Sequence, residues 1–173
     1  MATFEFGLKF SVPEDSVDRQ VERLGEAGCD DALIGVGRPG RIALDFDREA
    51  DSAFAAVAGA VSEVRAAIPK ARLIEVAPDL VGLTDLAGIV QCSRQYMRRL
   101  MIDGGESFPL PLHEGKTALW RLAKVLRWLR DKKHYRVDER LLAIAETSMQ
   151  FNIARETAEM DAAIQQSIHG LVA

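Results

Sequence analysis

The apolar residues of the first 79 positions change their period along the chain, and this change restricts the possible folds more than any other feature. From Phe4 and Phe6 up to Val12, apolar residues occupy alternate positions, which is the period of a strand with one buried face. Residues 13–28 and 49–69 repeat apolar side chains every three or four positions, which predicts amphipathic helices. Two alternating or aliphatic runs lie between these helices and another follows, so the predicted order is strand, helix, strand, strand, helix, strand.

This order predicts a ferredoxin-like α+β domain over residues 1–79, with two helices on one face of a four-stranded antiparallel sheet. The second helix carries Phe54 and Val64 on its predicted apolar face and ends at Pro69. The domain has a net charge of −6, and Phe46 is the single aromatic residue of its third strand, so an RNA-binding sheet is not expected. The expected roles of the sheet are dimerisation, docking of a protein partner or sensing of a small ligand.

The stretch GVGRPG, residues 35–40, matches the G-x-G-x-x-G pattern of dinucleotide-binding loops. Such a loop opens a helix, but the alternating segment RIALDFD follows this one directly, and Pro39 lies where the helix would start. An aliphatic strand also precedes the glycines. The stretch is therefore interpreted as the turn of a β-hairpin, with Arg38 and Arg41 solvated on either side of its proline.

The composition is that of a globular protein, with 48% hydrophobic and 28% charged residues among 173. Neither a run of 18 apolar residues nor a signal-peptide pattern is present, so a cytoplasmic protein without a membrane partner is expected. Cys29 and Cys92 form no metal-ligand pattern and no disulfide framework, and the three histidines are scattered. We expect no metal, no cofactor and no enzymatic activity.

Charge is divided unevenly along the chain. Residues 1–83 carry 9 Lys and Arg against 15 Asp and Glu, residues 84–136 carry 11 against 5, and residues 137–173 carry 2 against 6. The net charges are −6, +6 and −4. A basic segment between acidic ends is typical of a nucleic-acid-binding module in a larger protein. Chance clustering on a solvated face produces the same pattern, so charge alone leaves both interpretations open.

The basic segment contains LTDLAGIVQCSRQYMRRLMI, residues 83–102, which has the pattern of a helix-turn-helix. Thr84 and Ser93 are predicted to cap its two helices, and the small Ala87 allows the helices to cross closely. Gln91 stands where glycine is usual, and a left-handed conformation there costs about 1 kcal/mol. The predicted buried residues are Leu86, Val90, Cys92, Met97 and Leu100.

Further features follow this motif in the segment ESFPLPLHEGKTALW: they are Phe108, Pro109, Pro111, Gly115, Lys116 and Trp120. Together with the helix pair, they make residues 80–132 resemble the winged helix-turn-helix DNA-binding proteins of the MerR and AlpA (excisionase-like) type. The resemblance does not extend to residues 1–79. It implies a winged helix-turn-helix domain over residues 80–135, with the second helix, 93–101, in the major groove of double-stranded DNA and the wing on the adjacent backbone or minor groove.

The DNA-binding residues predicted from this docking are Ser93, Arg94, Gln95, Tyr96, Arg98, Arg99, Lys116 and Thr117. Arg94, Gln95 and Arg99 are expected to read bases, because their side chains suit bidentate hydrogen bonds to base edges. Ser93, Arg98 and Lys116 are expected to hold phosphates. Tyr96 is predicted at the edge of the helix and Thr117 in the wing.

Residues 136–173 form an acidic helical pattern with apolar residues such as Leu142, Ile153, Ile164 and Ile168 at spacings near three and four. This stripe is too apolar to stand alone in water, so the segment either packs back on the chain or pairs with a second subunit. The resemblance favours pairing, since MerR-like regulators dimerise through C-terminal helices. A homodimer reading a palindromic site is therefore expected.

The leading hypothesis is a sequence-specific transcriptional regulator that binds double-stranded DNA. One alternative is an excisionase-like or phage/plasmid architectural accessory protein, which bends DNA. Another is a protein-interaction adaptor that uses the ferredoxin-like sheet. Selection from random DNA separates the adaptor from both DNA-binding hypotheses, and the bend angle separates those two from each other.

Overall fold

The computed structural model describes residues 1–13, 17–35 and 37–172, so the predicted start of the first helix at residues 14–16 lies outside it. Within these ranges the chain is a mixed α+β protein with seven α-helices, a four-stranded antiparallel sheet and a small two-stranded sheet. The strands are β1 (Ala2–Ser11), β2 (Ala32–Gly35), β3 (Arg41–Ala50), β4 (Arg72–Ala77), β5 (Leu80–Val81) and β6 (Trp120–Arg121). The helices are α1 (Val17–Glu26), α2 (Ala53–Ala67), α3 (Leu83–Ile89), α4 (Arg94–Gly104), α5 (Leu122–Lys133), α6 (Glu139–Thr157) and α7 (Ala162–Val172). None of the described helices combines the length and the apolarity needed to cross a bilayer.

The four-stranded sheet has the order β2-β3-β1-β4, and each pair of neighbours is antiparallel. β1 and β3 pair along all ten residues of each strand. Phe6 lies opposite Phe46 in this register, and their rings stack with centroids 5.0 Å apart. The alternation predicted for the first strand is confirmed, because its apolar residues are all buried: Phe4, Phe6, Leu8 and Phe10.

β2 and β3 form the hairpin predicted at GVGRPG, although Val36 of its turn lies outside the described residues. The backbone nitrogen of Arg41 donates to the carbonyl of Arg38 at 3.0 Å. Gly40 has a φ of 73°, a left-handed conformation that glycine adopts without steric penalty. A strand rather than a helix follows these glycines, which is the geometry of a hairpin and not of a dinucleotide-binding loop.

Helix α2 covers the buried face of the sheet with small side chains, and its buried residues are Ala53, Ala56, Val57, Ala60 and Val64. Ser52 caps the helix by accepting a hydrogen bond from the nitrogen of Ala55 at 3.1 Å. The prediction that Phe54 lies on the apolar face is wrong, since this residue is 65% exposed. Phe54 lies roughly 100° around the helix from Ala53, at the margin of the buried stripe.

A second hydrophobic core lies among α3, α4, α5 and α6 and contains three aromatic residues. The ring of Phe108 lies edge-on to both Trp120 and Trp128, with centroids 6.1 and 5.0 Å away. Both indole nitrogens donate hydrogen bonds, that of Trp120 to the carbonyl of Pro109 and that of Trp128 to the hydroxyl of Ser107, each at 3.1 Å. These contacts attach the segment after α4 to α5.

Helix α6 belongs to both cores. Ile144 is buried in the core under the four-stranded sheet, whereas Leu142 and Met149 are buried in the second core. The side chain of Asn152 accepts from the nitrogen of Val76 at 2.9 Å and donates to its carbonyl at 2.8 Å, which satisfies the edge of strand β4. The single helical pattern predicted for the tail is thus two helices: α6 packs on the chain, while no residue of α7 is buried.

A buried ion pair joins the two cores. The guanidinium of Arg121 in β6 pairs with the carboxylate of Asp79, and these residues are only 6% and 1% exposed. Asn152 donates to the same carboxylate at 2.8 Å, and the nitrogen of Leu122 donates to the carbonyl of Asp79 at 2.7 Å. The pair therefore fixes β6 against the connection between β4 and β5.

Candidate nucleic-acid interface

The two helices predicted within residues 83–102 are present as α3 and α4, joined by a tight turn. Gln91 has a φ of 55°, so this non-glycine residue adopts the left-handed conformation expected of it. The nitrogen of Cys92 donates to the carbonyl of Ala87 at 2.9 Å, which closes the turn on the end of α3. Ala87 is buried, and the hydroxyl of Tyr135 donates to the carbonyl of Val90 at 3.0 Å. Hydrogen bonds from the turn to α3, and from Tyr135 after α5 to the turn, therefore fix its conformation.

Of the two predicted helix caps, the one at Ser93 is present and the one at Thr84 is not. Ser93 caps α4 as predicted, because its hydroxyl accepts a hydrogen bond from the nitrogen of Tyr96 at 3.1 Å. The prediction that Thr84 caps α3 is wrong, since that helix begins one residue earlier. Gly82 takes the cap position, and the carboxylate of Asp85 accepts from its nitrogen at 3.0 Å. A carboxylate in the first turn thus replaces the expected hydroxyl.

Helix α4 turns one face inward and presents the other to solvent. Met97 and Leu100 are buried against α3 and α5 in the second core. The exposed residues on the helix include Arg94, Gln95, Tyr96, Arg98 and Arg99. Ser93, Arg94, Gln95 and Arg98 together line a shallow surface depression at the start of the helix. Six of the eight residues predicted to bind DNA therefore lie on α4 or at its cap.

The other two predicted residues, Lys116 and Thr117, lie in the turn of a short hairpin. Its two sides meet at His113 and Leu119, where the nitrogen of Leu119 donates to the carbonyl of His113 at 3.0 Å. The returning side continues into β6, which pairs with β5. Lys116 and Thr117 are both exposed. Among the described residues, no hydrogen bond or ion pair links them to α4.

Two arginines of α4 differ from two arginines of α5 in their acidic neighbours. Arg94 and Arg98 have no ion-pair partner among the residues that the structure describes. On α5, Arg127 pairs with a glutamate of α6 at 2.5 Å, and Arg130 pairs with Asp131 at 2.8 Å. Arg99 is intermediate, with its Nε 3.5 Å from the carboxylate one turn ahead on the same helix. Much of the positive charge of α4 is therefore left unneutralised.

Three exposed apolar residues of α4 and of the segment that leads into the wing were not predicted as part of the site. Ile102 is 63% exposed and follows Arg98 by four residues, so it extends the outer face of α4. Leu110, between two prolines, is 86% exposed, and Leu112 at the start of the hairpin is also exposed. Helical spacing alone places Ile102 on this face, whereas the exposure of Leu110 and Leu112 depends on how the hairpin folds.

Both cysteines are covered to some extent by the fold. Cys29 is buried and Cys92 is half-buried. Burial, and then the carboxylate of Glu63, raises the pKa of the Cys29 thiol to about 11. Burial also raises the pKa of Cys92. A raised pKa keeps a thiol neutral at physiological pH, and a neutral thiol is a weak nucleophile and metal ligand. The described residues contain no group of three or more His, Cys, Asp or Glu side chains placed to hold a metal ion.

The chain was compared with protein-family models, with curated proteins and with solved structures. No family model matches it, and neither a curated protein nor a solved structure matches it. The function of the surface on α4 therefore has to be inferred from its own geometry and charge.

Proposed function

We propose that the protein is a sequence-specific regulator of transcription that binds double-stranded DNA, with α4 in the major groove. The observation that carries this proposal is the outer face of α4, where Arg94 and Arg98 lack acidic partners and Gln95 lies between them in sequence. Arginine and glutamine form bidentate hydrogen bonds to guanine and adenine edges. Unneutralised arginines also replace the counterions that DNA phosphates otherwise bind.

The supporting architecture is a winged helix-turn-helix, in which α3 and α4 are the helix pair and the hairpin over residues 112–119 is the wing. In this docking, Arg94, Gln95 and Arg99 read bases, while Ser93, Arg98 and Lys116 hold phosphates. The positive φ of Gln91, the cap at Ser93 and the exposed wing turn are the local features that this architecture requires.

The N-terminal unit is proposed to be a ferredoxin-like domain over residues 1–79, supported by its element order and by the strand order β2-β3-β1-β4. Glu5, Asp47 and Glu49 are exposed on the face of the sheet opposite its buried phenylalanines. This acidic face repels DNA, so we assign it to contact with a protein partner or a small ligand. The proposed protein acts as a homodimer, since paired copies read two half-sites about one helical turn apart.

The test is selection of binding sites from random double-stranded DNA, followed by affinity measurements on variants at several salt concentrations. We expect Arg94→Ala to lose about 1–3 kcal/mol and to relax the preference at one base pair. Lys116→Ala is expected to weaken binding to all sequences alike and to reduce the salt slope by about 1. Lys70→Ala removes an exposed positive charge from the other domain and is the matched control. Enrichment of no sequence, or wild-type binding by both variants, rejects the proposal.

A second candidate is the architectural protein that bends DNA, and Leu110 favours it. This leucine is almost fully exposed between two prolines beside the wing, and architectural proteins insert such apolar side chains between base steps. If Leu110 acts in this way, Leu110→Ser reduces the bend angle measured by gel phasing. A straight complex with the wild-type protein excludes this candidate and leaves the regulator.

A further inference from the structure

An apolar groove lies on the side of the molecule formed by α2, α5 and α6. Its volume is about 810 Å³, and Phe54 of α2 packs against Phe151 of α6 in its wall, with ring centroids 6.0 Å apart. Along α6, the groove is lined by residues at spacings of four, three and four: Ala143, Thr147, Gln150 and Ala154. An exposed phenylalanine at the mouth of a groove is costly in water, because its ring remains hydrated.

Helix α7 carries an apolar stripe of matching period. Ile164, Ile168 and Leu171 recur at spacings of four and three, and all three are exposed. Helix α7 as a whole is about 16 Å long at 1.5 Å per residue, and so is the run from Ala143 to Ala154 along the groove, whereas the stripe itself covers about 10 Å of the helix. Stripes with spacings of three and four are the surfaces through which two helices pack side by side.

The electrostatics of the two surfaces also match. Residues 162–172 contain no Asp, Glu, Lys or Arg. The charged groups of the groove, Arg127 and Glu146, already pair with each other at 2.5 Å. Docking of α7 in the groove therefore leaves no unpaired charge in contact with apolar surface.

The connection between α6 and α7 is held by hydrogen bonds, and no residue of α7 is buried in its own chain. The nitrogens of Ala158, Glu159 and Met160 donate to the last carbonyls of α6 at 3.1–3.3 Å. The carboxylate of Asp161 then caps α7, accepting from the nitrogens of Ala163 and Ile164 at 2.9 and 3.0 Å. A return of α7 onto its own α6 would have to break this hydrogen-bonded connection.

We propose that α7 of one copy docks in the groove of a second copy, and that the second copy returns the contact. Because the contact is reciprocal, a dimer buries two stripes and two grooves, which doubles the apolar area removed from water. The stripe includes Ile164 and Ile168, and the receiving side includes Phe54 and Phe151. This contact between two copies does not require DNA.

The first test measures the molar mass of the full chain in solution by light scattering. We expect the wild type to have twice the 19.0 kDa mass of one chain. Ile168→Asp on α7 and Phe54→Asp in the groove should each give monomers at the same concentration, because each buries a charge in an apolar contact. Leu33→Asp places the same charge on an exposed apolar residue of β2, outside the groove and α7, and should remain a dimer. Circular dichroism identifies any variant that fails to fold.

The second test identifies the contact by cross-linking with a bismaleimide. We mix two single variants, Gln150→Cys at the centre of the groove and Ile168→Cys at the centre of α7, so that the result is independent of helix direction. The mixture should give a two-chain product in excess of either variant alone and of the wild type, whose Cys29 and Cys92 set the background.

Three outcomes overturn the proposal. A monomeric wild type rejects it directly. A two-chain product from Ile168→Cys alone, equal to that of the mixture, indicates that α7 pairs with α7. A third variant carries both Gln150→Cys and Ile168→Cys in one chain, and a cross-linked product of one-chain mass from it, with no two-chain product from the mixture, indicates that α7 returns to its own groove. A dimer with no affinity for any DNA would support this interface and reject the proposed regulator.

Discussion

The arginines of β3 and α4 differ in their contacts. Arg48 of β3 is held by acidic partners within the fold, whereas Arg94 and Arg98 of α4 have none among the described residues. Arg48 in β3 donates to the carboxylates of Asp31 and Glu63, both at 2.7 Å, and its guanidinium lies 4.9 Å from the ring of Phe46. Only 11% of its side chain is exposed. This arginine links β3 to α2 and to the turn after α1, so its charge contributes to the fold.

On α4, Arg94 and Arg98 have the same functional group and none of these contacts. Both are exposed, and the folded chain places no carboxylate against them. Since an unpaired surface cation contributes little to folding, its presence on an ordered helix face is informative about binding. The number of positive charges in a segment therefore does not show how many are neutralised within the fold, whereas the contacts of each arginine do.

Among the paired arginines, the largest loss of stability is expected at the buried ion pair of Asp79 and Arg121. Asp79→Ala leaves the buried guanidinium of Arg121 with only the longer contact to the half-exposed Glu156, 3.7 Å away, so we expect the free energy of unfolding to fall by about 3–5 kcal/mol in urea denaturation. Glu146→Ala removes the carboxylate partner of the largely exposed Arg127, and as a control it should cost less than about 1 kcal/mol. Equal losses in the two variants would contradict the distinction between buried and exposed pairs.

An intermediate loss is expected at Arg48. Arg48→Ala removes hydrogen bonds to two partly exposed carboxylates, and charge-assisted hydrogen bonds contribute roughly 1.5–3 kcal/mol. Arg48→Lys keeps the charge but has no planar fork to bridge Asp31 and Glu63, so its stability should lie between those of the wild type and the alanine variant. Chemical denaturation of the three proteins measures this order. A lysine variant as stable as the wild type would show that charge alone is sufficient.

The smallest effect on stability is expected on α4. Arg94→Ala and Arg98→Ala should each change the free energy of unfolding by no more than about 0.5 kcal/mol, because neither side chain contacts an acidic partner. The same denaturation experiment measures this change. A loss above about 1 kcal/mol in either variant would assign these arginines to the fold and weaken the argument for DNA binding.

Much of the local structure could be predicted from sequence, because it depends on contacts between residues close along the chain. The alternation of Phe4 to Phe10, the turn at GVGRPG and the cap at Ser93 all follow from such contacts. The exposed residues of α4 follow in the same way, since Met97 and Leu100 define which face of the helix is buried. The role of that face in DNA binding stays a prediction.

The sequence by itself thus determined the element order of residues 1–79, the hairpin and the outward face of α4, since hydrophobic period and capping act over a few residues. Only the tertiary structure decided that Phe54 borders a groove, that Asp79 pairs with Arg121 and that α6 belongs to both cores. The pair of Asp79 and Arg121 spans 42 positions, and no local pattern encodes which of many possible partners a residue meets. That choice depends on how whole elements pack, which is a property of the complete fold.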